Sequence, residues 1–559
     1  MTATAAICTV FASIPSAFAQ DGPNDIAAGD IAAGDLATAL RSFEARYDVH
    51  ISIAKENLRD KRTKGVSSSN SASEAIGQLL AGTGLKACSN GSVIDVVAQD
   101  ANCSAHNADI IVTGTAISHL AETTRTGTRM DADPMTLPIS VSSVSNELIQ
   151  RQQAMNLKDI VANVSGIDGG QQGSVAMRGF GANIMRNGNL GSDGQSNNLP
   201  AIAISSVEAV KGPEAIIAGV GATYGGIVNV ISKTPPLTPT AEFNSTVGSR
   251  GYYDIGADIG GPLNSDKNIL VRLVGSTQDS GRNIAGYNGV RSDYIAPSMT
   301  LRMPEWGSTF TAQYEYQKLR RAPDVIVGTG GPELTSDLPI RLLGPRTDGT
   351  NVRSKLLTLS LEQELTDEWT FALRYSDGRE KRRGVLESSF IFDFIAPAPN
   401  ILTFRSDQEN DARSENFKAE LRGEFNTGPI EHKLLLSYDV TKAQSSTFNT
   451  SLTVSTTNLD TGVITDQTDA LGPFLGAPGP RVGGGTTTKD VGLLLLNQMT
   501  WGKFVVLAGV RRMKYQQSTL TGGTLEDFTR TLPSLGAVYR ITPSLSLYGN
   551  ASKGFKPNQ

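Results

Sequence analysis

Residues 417–425 read Phe417-Lys418-Ala419-Glu420-Leu421-Arg422-Gly423-Glu424-Phe425. In an extended strand Phe417, Ala419, Leu421 and Phe425 share one face, and Lys418, Glu420, Arg422 and Glu424 share the other. The turn Asn426-Thr427-Gly428-Pro429 follows, and then Leu434, Leu436, Tyr438 and Val440 alternate with Lys433, Ser437 and Asp439. Upstream, Leu357, Leu359 and Leu361 alternate in the same way with Thr358, Ser360 and Glu362. A period of two sustained through successive hairpins fits a transmembrane barrel that is apolar outside and polar in its lumen. It fits a soluble sandwich equally well, so periodicity alone leaves both open. What precedes the hairpins decides between them.

Working outward, the 559 residues carry 50 basic and 55 acidic side chains, a net charge of -5. That balance argues against an electrostatic nucleic-acid binder. Charged residues are 19% and hydrophobic residues 39% of the chain, which excludes a disordered one. The 58 glycines and 25 prolines imply many turns and hence many strands. No stretch approaches ~18 consecutive apolar residues, the length a membrane-spanning helix needs. With three cysteines and four scattered histidines, no metal-ligand motif is present, and neither is a GxGxxG or GKS nucleotide loop. Cys88 and Cys103 could form a disulfide or remain separate. Residues 1–19 end in Ala17-Phe18-Ala19, small residues placed as in a signal-peptide cleavage site, so the mature chain is expected outside the cytoplasm.

Residues 24–100 read as a compact α+β module. Leu36, Ala39, Leu40 and Phe43 form one helical face, and Ala75, Ile76, Leu79 and Leu80 a second. Val49–Ile53 and Val93–Val97 read as strands, and the basic run Arg59–Lys64 as a solvated loop. Ile31–Leu40 followed by Ala75–Leu85 resembles the secretin and TonB N-terminal signalling domain. The resemblance implies contact with the periplasmic domain of an anti-sigma regulator.

Next comes Ala108-Asp109-Ile110-Ile111-Val112-Thr113-Gly114, a short β-prone run between polar flanks, suited to pairing with another protein's strand edge. In this position it resembles the TonB box, residues 108–114. That makes Asp109, Ile110, Ile111, Val112 and Thr113 the expected TonB contact, with TonB drawing on its inner-membrane energising complex.

Residues 130–235 combine strands and helices. Pro138–Val144 alternates, Ser145 is placed to cap a helix, and Leu157, Ile160, Val161 and Val164 share a helical face. Arg178-Gly179-Phe180, Val207-Glu208-Ala209-Val210-Lys211-Gly212-Pro213 and Gly225-Gly226-Ile227-Val228-Asn229 follow in order and resemble the plug domain of TonB-dependent receptors. Ser205 and Ser206 depart from the family, which carries an acidic and a basic residue there. The resemblance implies structural roles for Gly179, Phe180, Gly212, Pro213, Gly225, Gly226 and Asn229. It also makes Arg178 and Lys211 candidates to pair with lumen carboxylates.

With a plug ahead of them, the hairpins of residues 237–559 are read as a transmembrane barrel of the 22-stranded plugged type, whose long stretches Arg320–Asn351 and Thr450–Lys489 are loops. Residues 237–559 number 323, room for only ~15 strands at ~20–22 residues each. The barrel is therefore expected to be incomplete at its C-terminus, an open sheet whose edges would not be stable in lipid. Aromatics are only 6%, so the interfacial girdles are expected to be sparse. The whole resembles ferric-siderophore receptors. It implies an outer-membrane protein in contact with lipid, no enzymatic activity, no intrinsic cofactor or metal, and a ferric siderophore as transported ligand. Receptors for haem, cobalamin or an oligosaccharide share the fold, and a mainly signalling role is a further alternative. Ligand-dependent quenching of tryptophan is the expected way to identify the ligand.

Overall fold

The computed structural model describes residues 34–36, 39–40, 43, 50–53, 61–66, 72–90 and 93–98, and then 124–169, 175–190, 199–212, 225–323, 326–329, 345–391, 400–458, 463–468, 482–542 and 545–554. The leader, the 108–114 run, Pro213 and Cys103 lie outside these residues, as does the side chain of Cys88. The chain divides into two compact units, Met1–Ala116 and Ile117–Gln559.

In the first unit β1 (Gly34–Asp35) pairs with β3 (Arg62–Thr63). β2 (His50–Ile53) runs parallel to β5 (Val93–Ala98), and β4 (Leu85–Asn90) runs antiparallel to it. The two helical faces read from the sequence are the buried ones: Leu36, Phe43, Ala75 and Leu79 are fully enclosed, with the second face on α1 (Ala72–Leu80). Leu85–Asn90 is a further strand, and the described part of the basic run, residues 61–64, is more than the solvated loop expected of it. Its Thr63 is buried and donates to the Leu79 carbonyl (2.7 Å), while Lys61 donates to the carbonyl of Thr83 (2.5 Å).

The second unit opens with an α+β domain. β6 (Ser140–Ser145) leads into α2 (Asn146–Arg151), where the Ser145 hydroxyl accepts the Leu148 N–H at 3.3 Å. α3 (Leu157–Val161) turns Leu157, Ile160 and Val161 inward. A small sheet joins β7 (Ile167–Gly169), β8 (Val175–Met177) and β9 (Phe180–Gly181). The main sheet has the order β11 (Asn189–Leu190), β10 (Asn183–Arg186), β13 (Gly226–Ser232), β12 (Ile204–Lys211), β6, with β10 parallel to β13. Gly226, at φ 128°, is required by this sheet: a Cβ there would collide with the Val210 carbonyl.

Among the described residues from 240 onward the main path of the sheet is an antiparallel meander. Its first strands are β14 (Thr240–Val247), β15 (Tyr253–Pro262), β16 (Ile269–Asp279), β17 (Arg291–Met303) and β18 (Ser308–Arg321). β19 (Ile326–Thr329) pairs with β21 off the main path. Then come β20 (Thr350–Thr366), β21 (Trp369–Ile391), β22 (Asn400–Thr427) and β23 (Ile430–Asn458), with β24 (Ile464–Thr468) pairing to β23. β25 (Val482–Trp501), β26 (Phe504–Thr519), β27 (Thr524–Thr542) and β28 (Leu545–Ser552) complete the order. Among the described residues β14 and β28 are the two ends of the sheet. The stretch 450–489 read as loop is in part strand, because the β-prone Ser451–Thr457 simply prolongs β23.

Strand faces settle the choice left open by periodicity. Phe417, Ala419 and Leu421 share a face, as read, and register against Val440, Tyr438 and Leu436. Leu436, Tyr438, Leu493 and Leu495 are 41–52% exposed, while Lys418, Glu420 and Asp439 are 7%, 1% and 3% exposed. A water-soluble sandwich would do the opposite. The α+β domain occupies the polar lumen, which is why β12 and β13 are buried on both faces.

The girdle is concentrated rather than sparse. All three tryptophans, Trp306, Trp369 and Trp501, stand at the short turns, where Trp501, Phe504 and Tyr539 pack in series (6.5 and 4.8 Å between ring centroids). Trp369, Phe425 and His432 stack beside them (6.0 and 4.9 Å). Interfacial aromatics mark the level of the lipid head groups. Tryptophan emission therefore reports on the membrane rim, and quenching is not a suitable ligand assay. Leu495→Arg, placing a charge on the lipid-facing band, should destabilise the folded protein in bilayers by ~2–4 kcal/mol. Urea titration in lipid vesicles checks this, and Thr358→Arg, facing the lumen, should cost far less.

Candidate functional site: the interface between plug and barrel wall

The plug sheet is tied to the wall by ion pairs that join distant stretches of sequence. Before β6, the segment 124–132 folds back on itself through the Thr124–Ala132 bridge. Glu208 on β12, 4% exposed, holds that segment: it accepts the Thr124 hydroxyl at 2.7 Å, the Thr126 N–H at 3.1 Å, and the Thr126 hydroxyl. Asn229 on β13 extends the network, donating to Thr126 Oγ1 and accepting the Gly188 N–H, both at 2.9 Å. Glu208 finds three donors and Asn229 uses both ends of its amide, which is how buried polar groups are tolerated.

From the same segment Arg129 reaches the wall. Its Nη1 lies 2.8 and 2.9 Å from the two carboxylate oxygens of Asp439 on β23, which also accepts Arg511 of β26 at 2.5 Å. Burial opposes the charge on Arg129, but Asp439 and Glu420 more than offset it and raise its pKa above the ordinary arginine value. Arg125 pairs with Asp131 at 2.5 Å, and this hydrogen bond holds the Asp131 carboxyl below its usual range. Both side chains are about half exposed, so the pair is worth ~0–1 kcal/mol.

Two further ties flank the sheet. Arg186 of β10 pairs with Glu315 of β18 at 2.6 Å, and Glu315 also accepts Tyr294 and Ser232 at 2.9 and 3.0 Å. Lys233, just beyond β13, reaches Asp258 at 2.8 Å, and Arg272 grips the same carboxylate at 2.7 and 2.5 Å. Breaking such a buried pair costs ~3–5 kcal/mol, because one charge is left uncompensated. Elsewhere the interface is apolar: Met185 and Ile227 pack on Met513, Tyr515 and Leu532, and Met130 packs on Leu435, Leu494, Leu496 and Leu507.

The residues expected to form the latch are placed differently. Arg178 occupies an exposed turn between β8 and β9 (φ 53°), followed by Gly179 (φ 81°) and a Phe180 that is 56% exposed. Lys211 ends β12, where its Nζ meets Ser165 Oγ at 3.0 Å; partial burial, and then Arg178 nearby, lower its pKa. Among the described residues neither reaches a lumen carboxylate, since each stands at the exposed margin of the sheet rather than against the wall. Gly212, Gly225 and Gly226 cluster at that margin, and Gly225 touches the Phe180 and Gly181 carbonyls too closely to carry a side chain. Alternation puts Lys418, Glu420 and Asp439 on the lumen face but names no partners for them, and no local pattern marks Arg129, Glu208 or Glu315 as functional.

Between plug and wall lies a cavity of about 460 Å³, bounded by β10, β13 and strands β17, β18 and β20 to β22. A second, of about 330 Å³, opens at the short turns near Gly307 and Asp367. No group of three or more potential metal ligands occurs among the described residues.

Comparison with known proteins gives this arrangement its family. Residues 133–226 match the TonB-dependent Receptor Plug Domain, and residues 304–559 match the TonB dependent receptor-like beta-barrel, together more than half of the chain. The chain belongs to the TonB-dependent receptors. This is a family of outer-membrane receptors rather than enzymes. The metal-pseudopaline receptor CntO of Pseudomonas aeruginosa is 26% identical over 385 residues, 65% of this chain and 52% of its own length. The ferrichrome outer membrane transporter/phage receptor of Escherichia coli is 24% identical over 490 residues, 80% of this chain and 64% of its own length. The chain thus spans about half to two thirds of the length of these relatives. The solved ferripyoverdine receptor FpvA of P. aeruginosa bound to a pyoverdine–iron complex superposes with a TM-score of 0.69 at 19% identity, over 95% of this chain and 71% of that one. That likeness shows the fold.

Glu208→Ala should leave the Thr124 and Thr126 donors unpaired, at ~1–3 kcal/mol for each buried group. Hydrogen exchange at the Thr126 amide should accelerate while exchange within β17 and β18 stays unchanged.

Proposed function

We propose that this receptor captures a ferric chelate at the cell surface and imports it when TonB pulls on the segment ahead of the plug. The reading is supported most by one observation: the domain filling the lumen rests on separate apolar patches and is tied by ion pairs and hydrogen bonds around a polar gap, contacts that can be exchanged for water and re-formed. A lumen closed by a continuous apolar core would not reopen on each cycle. Several similar proteins are named as receptors for ferrichrome or ferric pyoverdine, which favours iron bound to an organic chelator as cargo. The relative named for metal-pseudopaline supports a second reading, a chelate of another transition metal. Uptake of radioactive iron against radioactive nickel and zinc, each offered with its chelator, separates the two.

TonB would pair with Asp109–Thr113 as an added strand, its affinity coming from backbone hydrogen bonds. The 24–100 module would report occupancy to an anti-sigma regulator. Ile111→Pro removes an N–H and fixes φ. It should abolish energised uptake with ligand binding intact, and normal uptake by this variant would sink the assignment. Deletion of residues 24–100 should abolish ligand-induced transcription and spare transport; loss of transport in a well-expressed deletion would show the module to be structural.

A further inference from the structure

The two cavities carry opposite charge. Around the 460 Å³ chamber stand four cations, Arg125, Arg129, Arg374 and Lys418, and two carboxylates, Glu362 and Glu420. The carboxylates are already shared among guanidiniums. Glu362 lies 3.0, 3.5 and 3.7 Å from Arg374, Arg422 and Arg125. Glu420 is bound by Arg422 and lies 3.9 and 4.0 Å from Arg374 and Arg129.

Lys418 is different. It is 7% exposed, no carboxylate lies within 4.0 Å of it among the described residues, and its only hydrogen bond there is to the Gly188 carbonyl. An ammonium has three donors, so two remain for whatever fills the chamber. Its nearest carboxylates, Asp439 directly across the strand pair and Glu420 two residues on, are already engaged by Arg129, Arg511 and Arg422, so an anionic occupant would supply a partner of its own. Hydroxyls of Thr311, Thr358 and Ser360 line the same space.

The lower cavity shares Arg125, Thr309 and Glu362 with the chamber and leads to the short-turn rim. Its balance is reversed: six carboxylates, among them Asp131, Glu364, Asp367 and Glu368, face three cations. On another side the plug packs against the wall through apolar side chains, as where Leu199, Ile202 and Ala203 meet Val274 and Ala296.

The geometry points to an internal transit site for anionic, oxygen-rich chelates, centred on Lys418 in the chamber beneath the plug's β10–β11 turn, with an acidic mouth that disfavours retention and so directs release towards the short-turn side. The site deepens the import reading above and, as a transit step, rests on it. Its size falls within the ~300–1,000 Å³ of small-molecule pockets. Its charge makes it selective between anionic and neutral chelates, not among anionic ones.

The test places single cysteines at Thr358 in the chamber, Thr370 in the mouth and Ala296 in the apolar contact, with the three native cysteines replaced by serine. Receptor in outer membranes is labelled with an anionic (sulfonatoethyl) and a cationic (trimethylammonioethyl) methanethiosulfonate. The ratio of the two rates, divided by the same ratio for a free thiol in solution, cancels differences in both thiol and reagent reactivity, and every ratio is expressed on that scale. Thr358→Cys should react roughly tenfold faster with the anionic reagent, Thr370→Cys faster with the cationic one, and Ala296→Cys with neither. Adding Lys418→Gln should bring the Thr358→Cys ratio close to one, Lys418→Arg should restore it, and the Thr370→Cys ratio should hold throughout, reporting an intact fold. A ratio near one at Thr358→Cys with Lys418 present, or the same sign at both positions, overturns the site. Chelate uptake measured in parallel separates the claims: absent uptake with the ratios as expected refutes import and leaves the anion site standing.

Discussion

Asp439 sits between two guanidiniums, one from the plug segment and one from the barrel wall. Arg129 and Arg511 both reach its carboxylate within hydrogen-bond distance, and none of the three side chains is more than 10% exposed. A carboxylate so placed would be untenable without both partners. The pairing requires the strand to present its charged face inwards, the plug to be inside the lumen, and the segment ahead of β6 to lie against β23. The outward apolar face of the same strand is then left for lipid.

This inversion explains the mixed character of the interface. A plug seated only on apolar contacts would be a permanent core, and a plug surrounded by water would not seal. Here apolar clusters such as Met185–Ile227–Met513–Leu532 fix its position. Arg129–Asp439 and Arg186–Glu315 tie it to the wall, and the Glu208 network fastens the entering segment. Glu208 and Asn229 bind the entering segment to the plug's own sheet, so a load on that segment reaches both the sheet and the wall.

Much of the fold was legible because it rests on local period. Alternation through 417–440 shows the strand faces, though not their register, and spacing of three and four shows the helical faces at Leu36–Phe43 and Leu157–Val161. The plug was legible through its glycines, which mark places where backbone approaches backbone. The ties were not. Arg129 and Asp439 are 310 residues apart, and no periodicity announces which lumen carboxylate a given arginine will meet. Arg178 and Lys211 drew attention because they lie within recognisable motifs, yet their motif fixes a turn and a strand end rather than a partner. The tryptophans misled in another way: the low aromatic content is true of the whole chain, whereas their placement at one rim is a property of the fold.

The central claim is that plug and wall are coupled through buried charge, and a double-mutant cycle on Arg129→Ala and Asp439→Ala, read as unfolding free energy of the receptor in lipid, tests it most directly. Groups in direct contact show coupling of ~0.5–3 kcal/mol. The account predicts a coupling in the upper part of that range, with the double variant less destabilised than the sum of the single ones. Strictly additive effects would contradict it.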